Sequence, residues 1–458
     1  MNKPIRRVFF VVVVLFALLA FYTSRWTVWE ARSLNQNTLN RIPAQKNAKK
    51  PRGTILTASG RVVARSVKQR SGEYVRRYPM GELFSHPVGY SYAFYGQAGL
   101  EKYYDDQLTG RSKSVGSLLD QLLGRGGDEQ DMITNLDRGA QQLAEQQMAG
   151  RKGAVVVLDP STGRVPVYLS VPGFPPGAMG TNDGVKALNA PGSTFKVVTA
   201  TAALDSGLLN TSSTIDGTSP QTFASKPLQN DFNEQFPNVS LETALVKSVN
   251  TAFGNIGVDL GKQTLLEYMK RYGFYVPPPV DTPLGERKSS GLRGADGLLL
   301  PPDANIDLAR TAIGQERLAV TPIQMAEVAA SVANDGVRME PRIARSFRDS
   351  YGRTTLTISP KRATRVMKPS TARTLNKMMR NVVVEGTGQA ANIGNLNMAG
   401  KTGTAEVRGG NQAWFIGFAP YDNPKYAVAV TIEKTQEFGG AVAAPIAASV
   451  LQYLLRNQ

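Results

Sequence analysis

Three short patterns in the 458-residue chain carry side chains that can do chemistry together: Ser193-Thr194-Phe195-Lys196, Ser248-Val249-Asn250 and Lys401-Thr402-Gly403-Thr404. A serine with a lysine three residues on puts a nucleophile and a base one helical turn apart. A hydroxyl two positions from a carboxamide can relay a proton and bind a carbonyl. A lysine followed by two hydroxyls around a glycine can hold a carboxylate on a strand that a ligand approaches closely. Each pattern alone is ordinary, since Ser and Asn near helix ends are usually caps. All three in this order and at these wide separations make up a serine acyl-transfer site that attacks an amide or a β-lactam.

Composition narrows the choice of base. A Ser-His-Asp or Cys-His site needs a histidine and, in the second case, a thiol. The chain has one His and no Cys. That residue, His86, lies far upstream in a Tyr-, Gly- and Pro-containing stretch without metal-ligand spacing, and it reads as structural. A zinc hydrolase is disfavoured on the same count. Neither a cofactor nor a metal is called for, and lysine becomes the candidate base. Lys196, flanked by apolar Phe195, Val197 and Val198, can be desolvated toward neutrality and take the Ser193 proton.

The elements that must position these groups follow from pattern. Ala190-Pro191-Gly192 breaks the chain before Ser193, and Phe195 to Ala203 is a helical run, so Ser193 opens a buried helix whose free N–H groups favour negative charge. A helix from Leu241 reaches Asn250. Lys401 opens a strand ahead of another at Ala413–Phe418, and the N–H groups of Thr404 and Ser193 are the expected oxyanion hole. Further strands are expected at Ala154–Leu158, near Val165–Leu169 with Pro166 at an edge or bulge, and at Tyr426–Glu433. Leu136–Met148 reads as a helix entered through Asp137 and closed by Lys152-Gly153. Pro445–Leu455 reads as a helix with proline near its first turn. Upstream, strands are expected within Gly53–Ala64 around the Ser59-Gly60 turn, and helix near Leu100–Leu108; nothing there looks catalytic. Gly386-Thr387-Gly388 reads as a loop rather than a cleft wall.

Length and hydropathy divide the chain into 1–25, a cytoplasmic tail and transmembrane anchor; 26–150, a non-catalytic segment; and 151–458, the catalytic region. Lys3, Arg6 and Arg7 precede the apolar run Val8–Tyr22, and Arg25, Trp26 and Trp29 follow it, which places the amino terminus in the cytoplasm and the bulk outside. The run is shorter than the usual span of about 20 residues, so a cleaved signal peptide is the alternative to an anchor. No clear small-x-small cleavage site follows, which favours the anchor. The net charge of +17 is partly concentrated between Arg41 and Arg77, with Lys46, Lys49, Lys50, Arg52, Arg61, Arg65, Lys68, Arg70 and Arg76. For an exported chain the expected neighbours are anionic lipids or wall polymers rather than nucleic acid, with a solvated, partly flexible face as the equal alternative.

With Arg52-Gly53-Thr54-Ile55, Gly99-Leu100-Glu101 and Leu318-Ala319-Val320-Thr321-Pro322-Ile323-Gln324 added, the three patterns resemble class B penicillin-binding proteins over nearly the whole chain. The short linker region is most similar to the PBPA type of actinobacteria. The resemblance implies an α+β penicillin-recognising serine transferase fold, an antiparallel sheet flanked by helices, preceded by a transmembrane helix and a small pedestal or dimerisation-type domain. It implies a D,D-transpeptidase with Ser193 as acylated nucleophile and Lys196 as base. Ser248 and Asn250 complete the catalytic set, while Lys401, Thr402, Gly403 and Thr404 bind substrate. It implies stem peptides ending in D-Ala-D-Ala as donors, β-lactams as acylating ligands, and a membrane glycan polymerase with division or elongation proteins as partners. A D,D-carboxypeptidase and a non-enzymatic β-lactam sensor or division scaffold are the alternatives. A class A β-lactamase is disfavoured because no Glu-x-x-Leu-Asn stands between the second and third motifs.

Overall fold

The computed structural model describes residues 3–26, 30, 50–92, 96–110, 129–178, 183–301 and 304–457. The part from residue 153 onward is built on a five-stranded antiparallel sheet in the order Ala399–Val407, Gly410–Ala419, Tyr426–Thr435, Gly153–Leu158, Val167–Val171. Successive strand side chains point to opposite faces, and here both faces are buried. Val156, Leu158, Trp414, Ile416, Phe418, Ala427 and Ala429 join one core, which includes the helix Pro322–Ala333. Val155, Val157, Ala413, Phe415, Val428 and Val430 join the other, beneath the helix Gly439–Arg456. This explains why the strands read as continuous apolar runs rather than as alternating ones.

Three element boundaries differ from the sequence reading. The helix Arg138–Met148 is capped by Asp137, which accepts from the Ala140 N–H at 2.8 Å, as expected. It ends on Ala149 and Gly150, both left-handed, whereas Gly153 already belongs to the next strand. The strand after it begins at Val167, just past Pro166, at the outer edge of the sheet. The final helix starts at Gly439, not near Pro445, which lies inside it. Gly439 is a packing contact rather than loop punctuation: a Cβ there would lie 2.2 Å from the Trp414 carbonyl oxygen and 2.3 Å from that of Gly403.

A second, six-stranded sheet lies in the amino-terminal half, in the order Thr354–Thr357, Ala344–Arg348, Asp131–Thr134, Ile55–Leu56, Val62–Lys68, Tyr74–Arg77. Two of its strands come from far down the chain, so sheet membership does not follow the division at residue 150. Asp281 ties the halves together, accepting from the N–H groups of Ile343 at 2.7 Å and Ala344 at 2.6 Å and from the Tyr104 hydroxyl at 3.3 Å.

Two upstream motifs meet in one buried charge network. Arg52 donates to Glu101 at 3.1 Å and to Asp105 at 2.5 Å, and Arg76 donates to the other Glu101 oxygen at 2.6 Å. Gly53 is required beside it, because a Cβ would fall 1.9 Å from the Gln130 carbonyl oxygen. Removing one partner of a buried ion pair strands the other charge at about 3–5 kcal/mol. Glu101→Ala, which strands the Arg76 guanidinium and leaves Arg52 paired with Asp105 alone, should therefore unfold the amino-terminal half at lower denaturant. Unchanged urea unfolding followed by circular dichroism would contradict that.

The described helix Pro4–Ser24 is long and apolar enough to cross a membrane, as a signal sequence also would be. Trp29 and the basic residues Arg41, Lys46 and Lys49 lie outside the described residues.

Candidate active site

Ser193 sits in a tight 3-10 turn, Gly192–Phe195, that runs into the helix Lys196–Ser206. The turn is held from every side. The Ala190 carbonyl accepts from the Trp414 indole N–H at 2.9 Å, and the Gly192 N–H donates to the Gly314 carbonyl at 3.0 Å. Asn189 exchanges backbone bonds with Val320 at 2.9 and 3.0 Å. Val320 belongs to the Leu318–Gln324 motif, whose Thr321 and Pro322 also start the central helix. Gly192 adopts φ +52°, and a Cβ there would lie 2.6 Å from the Thr404 carbonyl oxygen; a Cβ on Gly403 would lie 2.7 Å from that of Pro191. These glycines let the edge strand Ala399–Val407 press directly against the nucleophile turn. Ser193 is half-buried while Thr194, Phe195 and Lys196 are buried.

The Ser248 motif lies at a break between helices rather than inside one. The helix from Leu241 ends at Val246, and the next, Asn250–Arg271, begins after Ser248, which is held left-handed at φ +60°. For a residue with a side chain that conformation costs of order 1–3 kcal/mol. It carries the hydroxyl between two buried lysines. Lys401 Nζ donates to Ser248 Oγ at 2.9 Å, and Lys196 Nζ lies 3.2 Å from the same oxygen, 2.6 Å from the Ser248 carbonyl and 2.6 Å from Asn250 Oδ1. Lys196, Ser248, Asn250 and Lys401 are thus in direct contact, as the motifs lead one to expect.

Two ammonium groups cannot share such a site at low cost. Burial, then the charge of Lys401, holds the Lys196 amine well below its ordinary value, with Asp231 opposing; burial pulls Lys401 down to about 7, again against Asp231. Of the two, Lys196 gives up its proton first. A neutral Lys196 has two N–H donors for the Ser248 carbonyl and Asn250 Oδ1, and a lone pair toward the Ser248 hydroxyl, whose oxygen accepts from Lys401. Every contact at Lys196 is satisfied without a charge on it.

On the edge strand, Thr402 and Thr404 alternate with Lys401 and Gly403. Thr402 Oγ1 lies 2.6 Å from Thr387 Oγ1, and Thr404 Oγ1 accepts from the Gly439 N–H at 3.1 Å. Gly386-Thr387-Gly388 is therefore more than a connecting loop: it touches the third motif, and the Thr387 N–H also reaches the Val246 carbonyl at 3.4 Å. Loop composition gave no signal for that contact. Sequence reasoning also missed Gln229 and Asp231, which accept from Asn250 Nδ2 at 3.0 and 3.2 Å. His86 stands apart from this cluster, buried, with Nε2 2.9 Å from the Pro172 carbonyl and its ring edge-on to Phe174.

The arrangement offers a serine on a fixed turn, a desolvated amine, a hydroxyl held between two lysines and a cationic, hydroxyl-bearing strand edge. Comparison with known proteins agrees with it. Residues 153–452 match the penicillin binding protein transpeptidase domain, and residues 52–129 match the penicillin binding protein A dimerisation domain. The chain is 32% identical to the peptidoglycan D,D-transpeptidase PbpA of Mycolicibacterium smegmatis, over the full length of both. It superposes on penicillin-binding protein A from M. tuberculosis, solved as a ceftriaxone acyl-enzyme complex, with TM-score 0.80 and 29% identity, covering 89% of this chain and 99% of that one. A D,D-transpeptidase domain from Eggerthella lenta gives TM-score 0.78 and 32% identity over 90% of this chain and 99% of that one.

Proposed function

The chain belongs to the penicillin-binding protein transpeptidase family, and we propose that it is a peptidoglycan D,D-transpeptidase working through a Ser193 acyl-enzyme. The observation that carries this reading is the Ser248 hydroxyl held between Lys401 and a neutralised Lys196, the latter one turn along the chain from Ser193. Ser193 Oγ attacks the penultimate carbonyl of a stem peptide ending in D-Ala-D-Ala. Its proton passes to Lys196 as the O–C bond forms, and the developing oxyanion is met by the N–H groups of Ser193 and Thr404. As the C–N bond breaks, that proton moves through Ser248 to the departing D-Ala nitrogen. An amine from a neighbouring stem then attacks the ester and gives a proton to the neutral Lys196, and that proton passes to Ser193 Oγ as the ester C–O bond breaks. Lys401 with Thr402 and Thr404 holds the donor carboxylate, and Asn250 binds the donor amide. A β-lactam acylates the same serine, but its leaving nitrogen stays tethered by the opened ring.

Lys3, Arg6 and Arg7, in the first turns of the helix Lys3–Ser24 and ahead of its apolar run Val8–Tyr22, support a cytoplasmic amino terminus and a catalytic region outside the membrane. On this topology the fitting partners are a membrane glycan polymerase and the division or elongation proteins around it.

Transpeptidase and carboxypeptidase differ only in the acceptor. The full-length chain in detergent, given a D-Ala-D-Ala donor and an amino-acid amine, is expected to yield the amine adduct in excess over the hydrolysed tetrapeptide. Hydrolysis alone at every amine concentration would assign it as a carboxypeptidase. The rate should be bell-shaped in pH. It rises as Lys196 loses its proton and falls as Lys401, near about 7, loses the charge that holds the carboxylate. A profile flat across this range would remove both lysines from their roles.

A further inference from the structure

The residue that sets the Asn250 amide lies outside all three motifs. Asn250 presents Oδ1 to Lys196 at 2.6 Å, and it can do so only because its Nδ2 is taken by the Gln229 carbonyl at 3.0 Å and by Asp231 Oδ1 at 3.2 Å. With the amide reversed, an NH2 would face a lysine and an oxygen would face a carboxylate, repulsive at both ends. The Asp231 loop is itself built to hold this place. Asn230, buried, donates to the carbonyls of Gly217 at 2.8 Å and Glu234 at 2.9 Å. Its Oδ1 accepts from both the N–H and the hydroxyl of Thr251 at 3.0 Å, beside Asn250. Phe232 and Asn233 follow in left-handed conformations, at φ +55° and +56°. Two successive strained residues persist only where their surroundings over-determine them, and Asn230 supplies that constraint.

Charge points the same way. Lys196 is faced by Lys401 from the edge strand and by Asp231 from this loop, with the Phe253 ring 5.6 Å away; Lys401 is faced by Asp231 as well. The Asp231 carboxylate is solvent-exposed, so its pull on the lysines is screened and moderate, while its hydrogen bond to Asn250 is local and specific.

We propose that Asp231 is a positioning residue of the acylation step, its carboxylate fixing the Asn250 amide toward Lys196 and supplying the counter-charge that both buried lysines face. The inference rests on the reading of Lys196 as the base.

The test measures the second-order rate of acylation of the full-length chain by a fluorescent penicillin across pH, for wild type and for Asp231→Asn, Asp231→Glu and Asp231→Ala, with thermal unfolding of each. Asp231→Asn keeps an acceptor for Asn250 Nδ2 but removes the charge, which lowers both lysine values. Its whole bell should therefore move to lower pH, by about half a unit for a screened charge, with its height retained. Asp231→Glu should restore the wild-type position. Asp231→Ala should move the bell likewise and also lower its height, by about fivefold, as expected for one lost orienting hydrogen bond. Profiles of Asp231→Asn and Asp231→Ala that superpose on wild type, or that only shrink without moving, would overturn the proposal. If Lys196→Met acylated as fast as wild type, the reading of the base would fail instead, and the two failures are thereby told apart.

Discussion

A Ser193→Ala chain should show no change in intact mass after incubation with benzylpenicillin, while the wild-type chain gains one adduct equal to the whole antibiotic. The whole mass is retained because attack on the strained ring amide breaks a C–N bond whose nitrogen stays attached through the rest of the ring. The substitution should not disturb the fold. The turn is held by the Ala190 carbonyl, the Gly192 N–H and the close approach of Gly403, all backbone, and none of these uses the Ser193 side chain. Substitution at a half-buried position without such a contact is worth about 0.5 kcal/mol or less. Loss of the adduct is thus a loss of the nucleophile and not of the site. The adduct should also persist, since the leaving group never departs to make room for an acceptor. Wild-type chain that consumes penicillin without accumulating an adduct would be a β-lactamase. No reaction in either chain would leave a scaffold role.

How much of this was legible beforehand depends on the range of the interaction. The three motifs could be read because each is a local spacing: Ser193 to Lys196 is one helical turn, and Lys401 to Thr404 is one stretch of strand. The apolar run Ala154–Leu158 and the alternating stretch Tyr426–Glu433 read locally as strands and were found in the central sheet, whereas the α+β fold with its antiparallel sheet came from the family resemblance. What stayed hidden was long-range. Nothing in Thr387 or Asp231 as residue types announces a contact with Thr402 or Asn250, because those contacts depend on loops closing over a sheet edge. Nor does any periodicity tell that Ala344–Arg348 pairs with Asp131–Thr134, more than two hundred residues upstream. Gly439 has the look of a loop residue, yet it is where a helix start packs on two strands. A helix end near Asn250 could be read, but not that the helix stops at Val246 with Ser248 left-handed, since a left-handed serine is rare and no residue type announces it.

Replacing Lys196 should cost nearly as much as replacing Ser193 in the rate of acylation, and the choice of replacement separates proton transfer from charge. Lys196→Met keeps length and fills the buried space without an amine. Lys196→Arg keeps a cation but one that stays protonated at any working pH and so cannot accept the serine proton. If Lys196 acts by taking that proton, both variants should lose about a hundredfold to ten-thousandfold in acylation, the usual range for a positioned general base. If it acted only as a positive charge near the oxyanion, Lys196→Arg should retain most of the rate. On the proposed assignment of the donor carboxylate to Lys401, Thr402 and Thr404, the loss should fall on the chemical step rather than on saturation. Stability supplies the control. A buried amine carried at a cost is exchanged in Lys196→Met for apolar atoms, against the loss of donors to the Ser248 carbonyl and Asn250 Oδ1, so thermal unfolding should change little. Lys196→Arg brings a full charge beside Lys401 and should unfold at lower temperature. A Lys196→Arg chain that unfolds earlier yet acylates within tenfold of wild type would assign the lysine to electrostatics and move the search for the base to Ser248.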